Sequence, residues 1–287
     1  MISISKQTTS PQENYIPANW NLTFWLPATW ISILLFFVVF ADVLPLNDPT
    51  ESDFTALKVG PNFEFFLGTD VLGRDIFSRI IHGARISLTV GFFAPVLGMI
   101  IGLILGLLAG YYRQKIESLI VGFMDVILAF PNIVLAMCIL FFAGATMFNL
   151  ILVLSITSIP ANTRIARAST LVFAERDFVL AARAQGASDL RILVWEILPN
   201  IIFPQLAYIL SFMSIVIMIE GSLAFLGVGI PPPTPTLGSM IAQGFSDINT
   251  DPHITFLPAL FLFLTVLSLN LIGDHLRKKF TIRQSAI

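Results

Sequence analysis

Residues 86–112 read ISLTVGFFAPVLGMIIGLILGLLAGYY, 27 residues without a charged side chain. A helix rises about 1.5 Å per residue, so about 20 such residues cross the roughly 30 Å hydrocarbon core of a bilayer. A half-solvated helix would instead show apolar residues recurring with a 3.6-residue period, and this stretch is apolar all round. Within it Gly98, Gly102, Gly106 and Gly110 recur every four residues. Such a file lets a second helix backbone approach closely in lipid, where apolar burial gives no net drive. It reads as a packing seam, within the chain or against another subunit, in preference to a hinge.

The rest of the chain repeats this composition. Of 287 residues, 56% are hydrophobic and only 12% charged, against about a quarter charged in soluble domains. Further uncharged runs cover 22–41, 126–163, 201–219 and 254–273. The run 126–163 is too long for one crossing and carries Gly144 and Asn149 near its middle, so it reads as two antiparallel helices joined at 143–149. The expected fold is an all-α integral membrane protein with about six transmembrane helices. Pro131 and Pro204 are expected to bend the helices that contain them. The first run begins after about twenty polar residues and is long enough to span a bilayer, so it reads as a retained anchor and not a cleaved leader.

Lys and Arg orient the helices, because cytoplasmic loops are enriched in them. With the N-terminus inside, one side holds Lys6, Arg113, Lys115, Arg164, Arg167, Arg176, Arg183, Arg191, Arg277, Lys278, Lys279 and Arg283; the other holds Lys58, Arg74, Arg79 and Arg85. This bias places both termini in the cytoplasm. The expected organisation is a cytoplasmic segment 1–21, a first helix within 22–45, and an extracytoplasmic segment 46–85 with an interfacial helix. A core 86–277 follows, containing a cytoplasmic loop 164–200 and an outer loop 227–253, and then a tail 278–287.

Several chemistries are disfavoured. A net charge of −2 leaves no basic stripe for a nucleic acid. The single Cys138 cannot form an internal disulfide and reads as a small buried hydrophobe. His82, His253 and His275 are scattered without metal-ligand spacing, and there is no Gly-Lys-Ser/Thr phosphate loop. No catalytic, cofactor-binding or metal site is expected. Asp75 and Arg79, at helical spacing, are expected to form a surface ion pair. Asp125 reads as structural. Glu220 is an intramembrane acid, and so a candidate for a gate or subunit interface beside Phe225 and Gly227, with a hydrogen-bonded structural acid as the other reading.

The segment 164–200 is polar enough to lie outside the bilayer and reads as two short helices around a break. Phe178, Ala181, Ala182 and Gln185 make a small-residue face, and Gly186 interrupts. Ser188 can cap a second helix with Asp189 in its first turn. Leu190, Leu193, Val194 and Ile197 then line one side, with Pro199 ending the element. A rigid amphipathic element of this kind suits docking into a groove on a soluble partner; an interfacial helix lying passively on lipid headgroups is the other reading.

Here the residues become recognisable. The string Ala181-Ala182-Arg183-Ala184-Gln185-Gly186-Ala187-Ser188, followed by Leu198-Pro199-Asn200, resembles the cytoplasmic "EAA" signature of permease subunits in ATP-binding-cassette importers. Leu180 stands where that signature usually has Glu, so no contact by that carboxylate is carried over. Leu67-Gly68-Thr69-Asp70-Val71-Leu72-Gly73-Arg74-Asp75, Ser222-Leu223-Ala224-Phe225-Leu226-Gly227, Gly238-Ser239-Met240 and Asn270-Leu271-Ile272-Gly273-Asp274 follow the order and spacing of the dipeptide, oligopeptide and nickel permease group. The resemblance implies the type I importer permease fold in a bacterial inner membrane. It also implies a homologous second permease, two cytoplasmic ATPases that bind ATP and Mg²⁺, and an extracytoplasmic binding protein delivering peptides or similar solutes. The coupling loop it implies carries Ala181, Ala182, Gly186, Ala187, Ser188, Leu198 and Pro199. An ion-gradient-driven transporter is the alternative; it calls for a polar midplane site on broken helices and often an internal repeat, and the sequence shows neither.

Overall fold

The computed structural model describes residues 22–284. The tail beyond 284 and the segment 1–21 lie outside the described residues. Ten α-helices follow in order: α1 Leu22–Phe40, α2 Ile76–Tyr112, α3 Gln114–Leu128, α4 Asn132–Ala143, α5 Met147–Phe173, α6 Asp177–Ala184, α7 Asp189–Arg191, α8 Leu198–Phe225, α9 Leu237–Gly244 and α10 His253–Gln284. A π-helical turn, Ile192–Ile197, joins α7 to α8, and a 3₁₀ turn, Phe245–Asp247, follows α9. Among the described residues there is no β-strand, only a single bridge between Thr69 and Asp75. Five helices are long and apolar enough to cross a membrane, and α3 with α4 makes a sixth bent span.

That bent span breaks by 82° at Pro131, which takes an extended ψ of 128° and precedes the first residue of α4. Position 204 lies within α8, which runs from Leu198 to Phe225 without interruption. Helix α2 starts ten residues before the uncharged run. Asp75 caps it, its Oδ1 accepting from the Phe77 N–H at 3.0 Å, so the helix expected to lie at the interface within 46–85 is the first turns of α2. At about 1.5 Å per residue α2 is about 55 Å long, which carries it well past the hydrocarbon at one end or both. The outer loop 227–253 also holds more structure than its Pro run suggests, because α9 lies inside it. Thr236 and Ser239 form a reciprocal capping box there, which offsets the orphan donors of a short helix.

The centre of the bundle is the α2–α5 contact. An ideal Cβ on Gly98 would fall 2.7 Å from Ser158 Cβ; on Gly102, 2.6 Å from Asn162 Cβ; on Gly110, 2.7 Å from Thr170 Cβ. One on Gly106 would collide with Ala166 Cβ. Both files advance four residues in the same direction, so α2 and α5 run parallel with every glycine seated on one small residue of its partner. The polar residues of α5 satisfy themselves along the helix, as lipid requires. Ser158 Oγ donates to Leu154 O at 2.7 Å, Thr163 Oγ1 to Ile159 O at 2.9 Å and Thr170 Oγ1 to Ala166 O at 2.8 Å.

Apolar clusters flank this seam. One packs Val90 and Ala94 of α2 against Ala136 and Leu140 of α4, Leu150 and Leu154 of α5, and Val216 and Leu223 of α8. Helix α1 is peripheral, meeting the rest through Leu34 and Val38. Much of its remaining surface, including Leu22, Leu26 and Phe36, is exposed to the surroundings of the bundle.

Overfilling a packed contact costs about 1–3 kcal/mol. Gly106→Val should therefore lower the thermal midpoint of the detergent-solubilised protein and reduce its recovery. Gly122→Ala, where a Cβ would meet nothing within 4 Å, should leave the midpoint unchanged or raise it. Size-exclusion recovery after a heating series reads both.

Candidate functional site

The length of α2 separates two ends of the molecule. At one end lie residues 41–75 and α9; at the other lie α6, α7 and the π turn.

At the second end the sequence 177–191 folds into a tight helical hairpin. Helix α6 ends in a Schellman motif, with Gly186 N–H donating to Arg183 O at 3.0 Å and Ala187 N–H to Ala182 O at 3.1 Å. That motif needs a left-handed residue after the helix, and Gly186 has φ +81° with nothing within 4 Å of an added Cβ. The glycine is thus required by backbone conformation and not by space. Ser188 then caps α7, its Oγ accepting from Arg191 N–H at 3.4 Å.

Pro199 does not end the element. It sits in the first turn of α8, where a missing N–H costs little. The π turn before it absorbs the clash its ring would make with the carbonyl four residues back; the Leu198 N–H reaches Leu193 O, five residues back. The extra residue also splits the expected apolar stripe. Ile192, Leu193 and Ile197 turn inward with Val179 against Leu103 and Leu107 of α2 and Ala166 of α5. Leu190 and Val194, expected on the same side, remain outward beside Trp195, which is 73% exposed. On α6, Phe178, Leu180 and Ala181 face outward, while Ala182 is half buried. The hairpin therefore has an anchored face built on the seam helices and an exposed apolar face. Of the sequence-selected residues, Ala182, Ala187 and Leu198 pack on the anchored side, and Ala181, Gly186, Ser188 and Pro199 are exposed.

Tyr111, which the sequence reading passed over, ties this hairpin to α2. Its hydroxyl donates to Asp189 Oδ1 at 2.7 Å and accepts from Arg183 Nη2 at 3.2 Å, and the Arg183 guanidinium lies 5.5 Å from its ring centre. One side chain at the last turn of α2 thus holds both short helices. Around it, Arg113 pairs with Glu175 and Arg164 with Asp125, each at 2.7 Å, and Arg167 pairs with Glu117. The exposed pairs contribute only about 0–1 kcal/mol each, so the apolar anchor carries the attachment.

At the first end, Asp75 and Arg79 are not a surface pair. Both are buried. Arg79 turns away from its own helix to Asp70, Nε to Oδ2 at 3.3 Å, and donates to Pro49 O at 2.7 Å. Arg74 Nε donates to the same Asp70 oxygen at 2.7 Å, and its Nη2 to Gln243 Oε1 of α9 at 3.1 Å. These charges therefore form a buried lock joining the 41–75 segment to α2 and α9. Burial pushes the Asp75 carboxyl up, opposed by the N–H groups of Phe77 and Ser78 and the Asn47 amide. The Lys58 ammonium is held above its usual range by its bond to Asp247, whose carboxyl is correspondingly lowered.

Glu220 is fully buried and accepts from Ser87 Oγ at 2.9 Å. It joins α8 to α2 inside the chain. Gly227, φ +80°, closes α8 by a second Schellman motif. Phe225 is half exposed and packs edge-on against Phe245 with ring centres 5.4 Å apart. Cys138, read as buried, is exposed on α4, on the face turned away from the buried Ala136 and Leu140.

Among the described residues no group of three or more His, Cys, Asp or Glu side chains could hold a metal ion. The described residues thus form an apolar bundle with an anchored, outward-facing helical hairpin. The chain belongs to the family of binding-protein-dependent transport system inner membrane components, whose model matches residues 102–282. It is 41% identical over 251 residues to the glutathione transport system permease protein GsiD of Escherichia coli O6:K15:H31, covering 87% of this chain and 83% of that one. The corresponding protein of Pectobacterium atrosepticum is 40% identical over 235 residues, 82% of this chain and 78% of that one. In fold it resembles a chain of the MetNI methionine ABC transporter in an inward-facing conformation, with a TM-score of 0.59 at 18% identity over 71% of this chain and 97% of that one. A chain of an amino acid ABC transporter matches with a TM-score of 0.54 at 18% identity, over 71% of this chain and 94% of that one. The protein is a non-catalytic permease subunit of an ABC importer of the inner membrane, and nothing supports the ion-gradient alternative.

Removing the Tyr111 hydroxyl deletes two hydrogen bonds between α2 and the hairpin, a loss of about 1 kcal/mol. In Tyr111→Phe, amide exchange at 189–191 should accelerate about five-fold, with exchange in α2 and α5 unchanged.

Proposed function

We propose that this chain forms half of a translocation pathway for small peptides or peptide-like solutes, paired with a homologous second permease. Two cytoplasmic ATPases, which bind ATP and Mg²⁺, receive the exposed face of the 176–200 hairpin, and both termini lie on that side. The observation that carries this reading is the two-faced hairpin. Val179, Ile192, Leu193 and Ile197 are rooted on α2 and α5, while Phe178, Leu180, Leu190 and Trp195 offer the opposite face to a partner. An amphipathic helix presenting apolar anchors suits a groove on a soluble protein, and a rooted one transmits displacement to the bundle instead of absorbing it. The positive-inside bias of Lys and Arg supports the orientation. The named activity of the glutathione permease relatives supports a peptide-class cargo. The binding protein in the family's description would deliver it at the opposite face.

Coupling by this hairpin requires the turn at Gly186. A branched residue in the left-handed region costs about 1–2 kcal/mol, whereas Asn tolerates it far better. Gly186→Val should abolish ATP-driven uptake while the protein still inserts and copurifies with the second permease; Gly186→Asn should keep most of it. Equal transport by both variants would contradict the assignment.

A further inference from the structure

The segment 41–75 forms a platform on α2 and α9, and at its base the Arg79 guanidinium is only partly satisfied by protein atoms. We propose that the cavity against Arg79 holds one ordered water molecule, shared with Asp70 and Gln243, which completes the lock between the platform, α2 and α9. This site is independent of the cargo and of the hairpin's partner.

Arg79 is 1% exposed, and its donors are used unevenly. Nη1 donates to Pro49 O at 2.7 Å. Nη2 has no protein acceptor, and Nε lies 3.3 Å from Asp70 Oδ2 without the alignment of a hydrogen bond. A buried donor left unmade costs its full desolvation, more so when it is charged, and buried N–H groups in folded chains are met by protein or by ordered water. A cavity lies against this side chain. Its walls include Asp70 and Val71 of the platform, Arg79 of α2, Met240 and Gln243 of α9, and Ile254 of α10. About 10 Å³ of it is open to a water-sized sphere, which is room for one water molecule and no more.

The walls select the occupant. A chloride ion is larger than the space, and it would meet the Asp70 carboxylate on the same cavity; a cation would meet the guanidinium. Water is neutral and can both accept and donate. Its oxygen takes the Arg79 Nη2 N–H, and its hydrogens have Gln243 Oε1 and the Asp70 carboxylate. Gln243 Oε1 accepts one bond, from Arg74 Nη2 at 3.1 Å, and an amide oxygen carries a second lone pair. These groups supply the two to four polar partners that a buried water needs. Because the platform, α2 and α9 each contribute one of them, a single molecule ties all three together.

The test is a structure of the assembled transporter in nanodiscs at a resolution that shows ordered water, together with the thermal midpoints of two variants. One density peak within hydrogen-bond distance of Arg79 Nη2 and Gln243 Oε1 is expected. Val71→Ile puts a further methylene into the cavity; by displacing the water it should remove the peak and lower the midpoint by about 3 °C. Val71→Thr keeps the volume and offers a hydroxyl that the water can bond, so the midpoint should stay unchanged. A dry cavity reverses that order, because filling it stabilises and an unpaired buried hydroxyl costs. The reversed order, or a map with no peak at this position, overturns the proposal. A wild-type midpoint that falls when chloride is replaced by gluconate assigns the site to an anion and overturns it equally.

Discussion

Two helix backbones lie in contact in a medium that gives them no hydrophobic reason to associate, and the remaining architecture is arranged around that contact. Helices α2 and α5 meet through four glycines and the Ser158, Asn162, Ala166 and Thr170 file. The attraction comes from many short dispersion contacts, which only the absence of side chains on α2 permits. Because the files advance together, the helices are parallel, and the intervening α3 and α4 must return across the bundle. The 82° break at Pro131 lies on that return, so the bent span is a consequence of the topology that the seam imposes.

The same contact is the base on which the hairpin is anchored. Leu103 and Leu107 project from α2 beside Gly102 and Gly106, and Ala166 belongs to the α5 file. All three form the floor on which Val179, Ile192, Leu193 and Ile197 sit. A push on the exposed side of the hairpin would therefore act on the two helices that share the seam. The π turn ahead of Pro199 makes the inward side continuous with α8, the helix that carries Glu220. At the far end, the Asp70 lock and the Ser87–Glu220 bond tie α2 to α9 and α8. One long helix thus links the hairpin to the platform.

Much of this was legible in the sequence, for identifiable reasons. Uncharged runs reveal spans because lipid excludes unpaired charge, and the four-residue glycine period reveals a seam because it matches the helix repeat. Glycine at a helix end likewise marked the turn at 186. What escaped had a tertiary cause. The start of α2 was hidden because Arg79 finds its counter-charge on Asp70, outside the helix, so charge failed as a boundary signal. The split of Leu190 and Val194 from Leu193 and Ile197 was hidden because a π turn abandons the 3.6-residue period on which face assignments rest. Helix α9 was masked by neighbouring prolines, although Thr236 and Ser239 form a cap visible to a closer reading. Tyr111 carries no motif at all; its role exists only where the end of α2 meets the hairpin.

The central claim is that the hairpin rooted on the α2–α5 seam faces the compartment of the ATPases. Ala184→Cys, in a chain whose Cys138 is replaced by Ala, offers an exposed thiol on α6 to a membrane-impermeant maleimide. Labelling in inside-out vesicles, with none in right-side-out vesicles until they are permeabilised, is the predicted result. Labelling from the outer face of intact right-side-out vesicles would put the hairpin beyond the reach of any cytoplasmic motor and contradict the account.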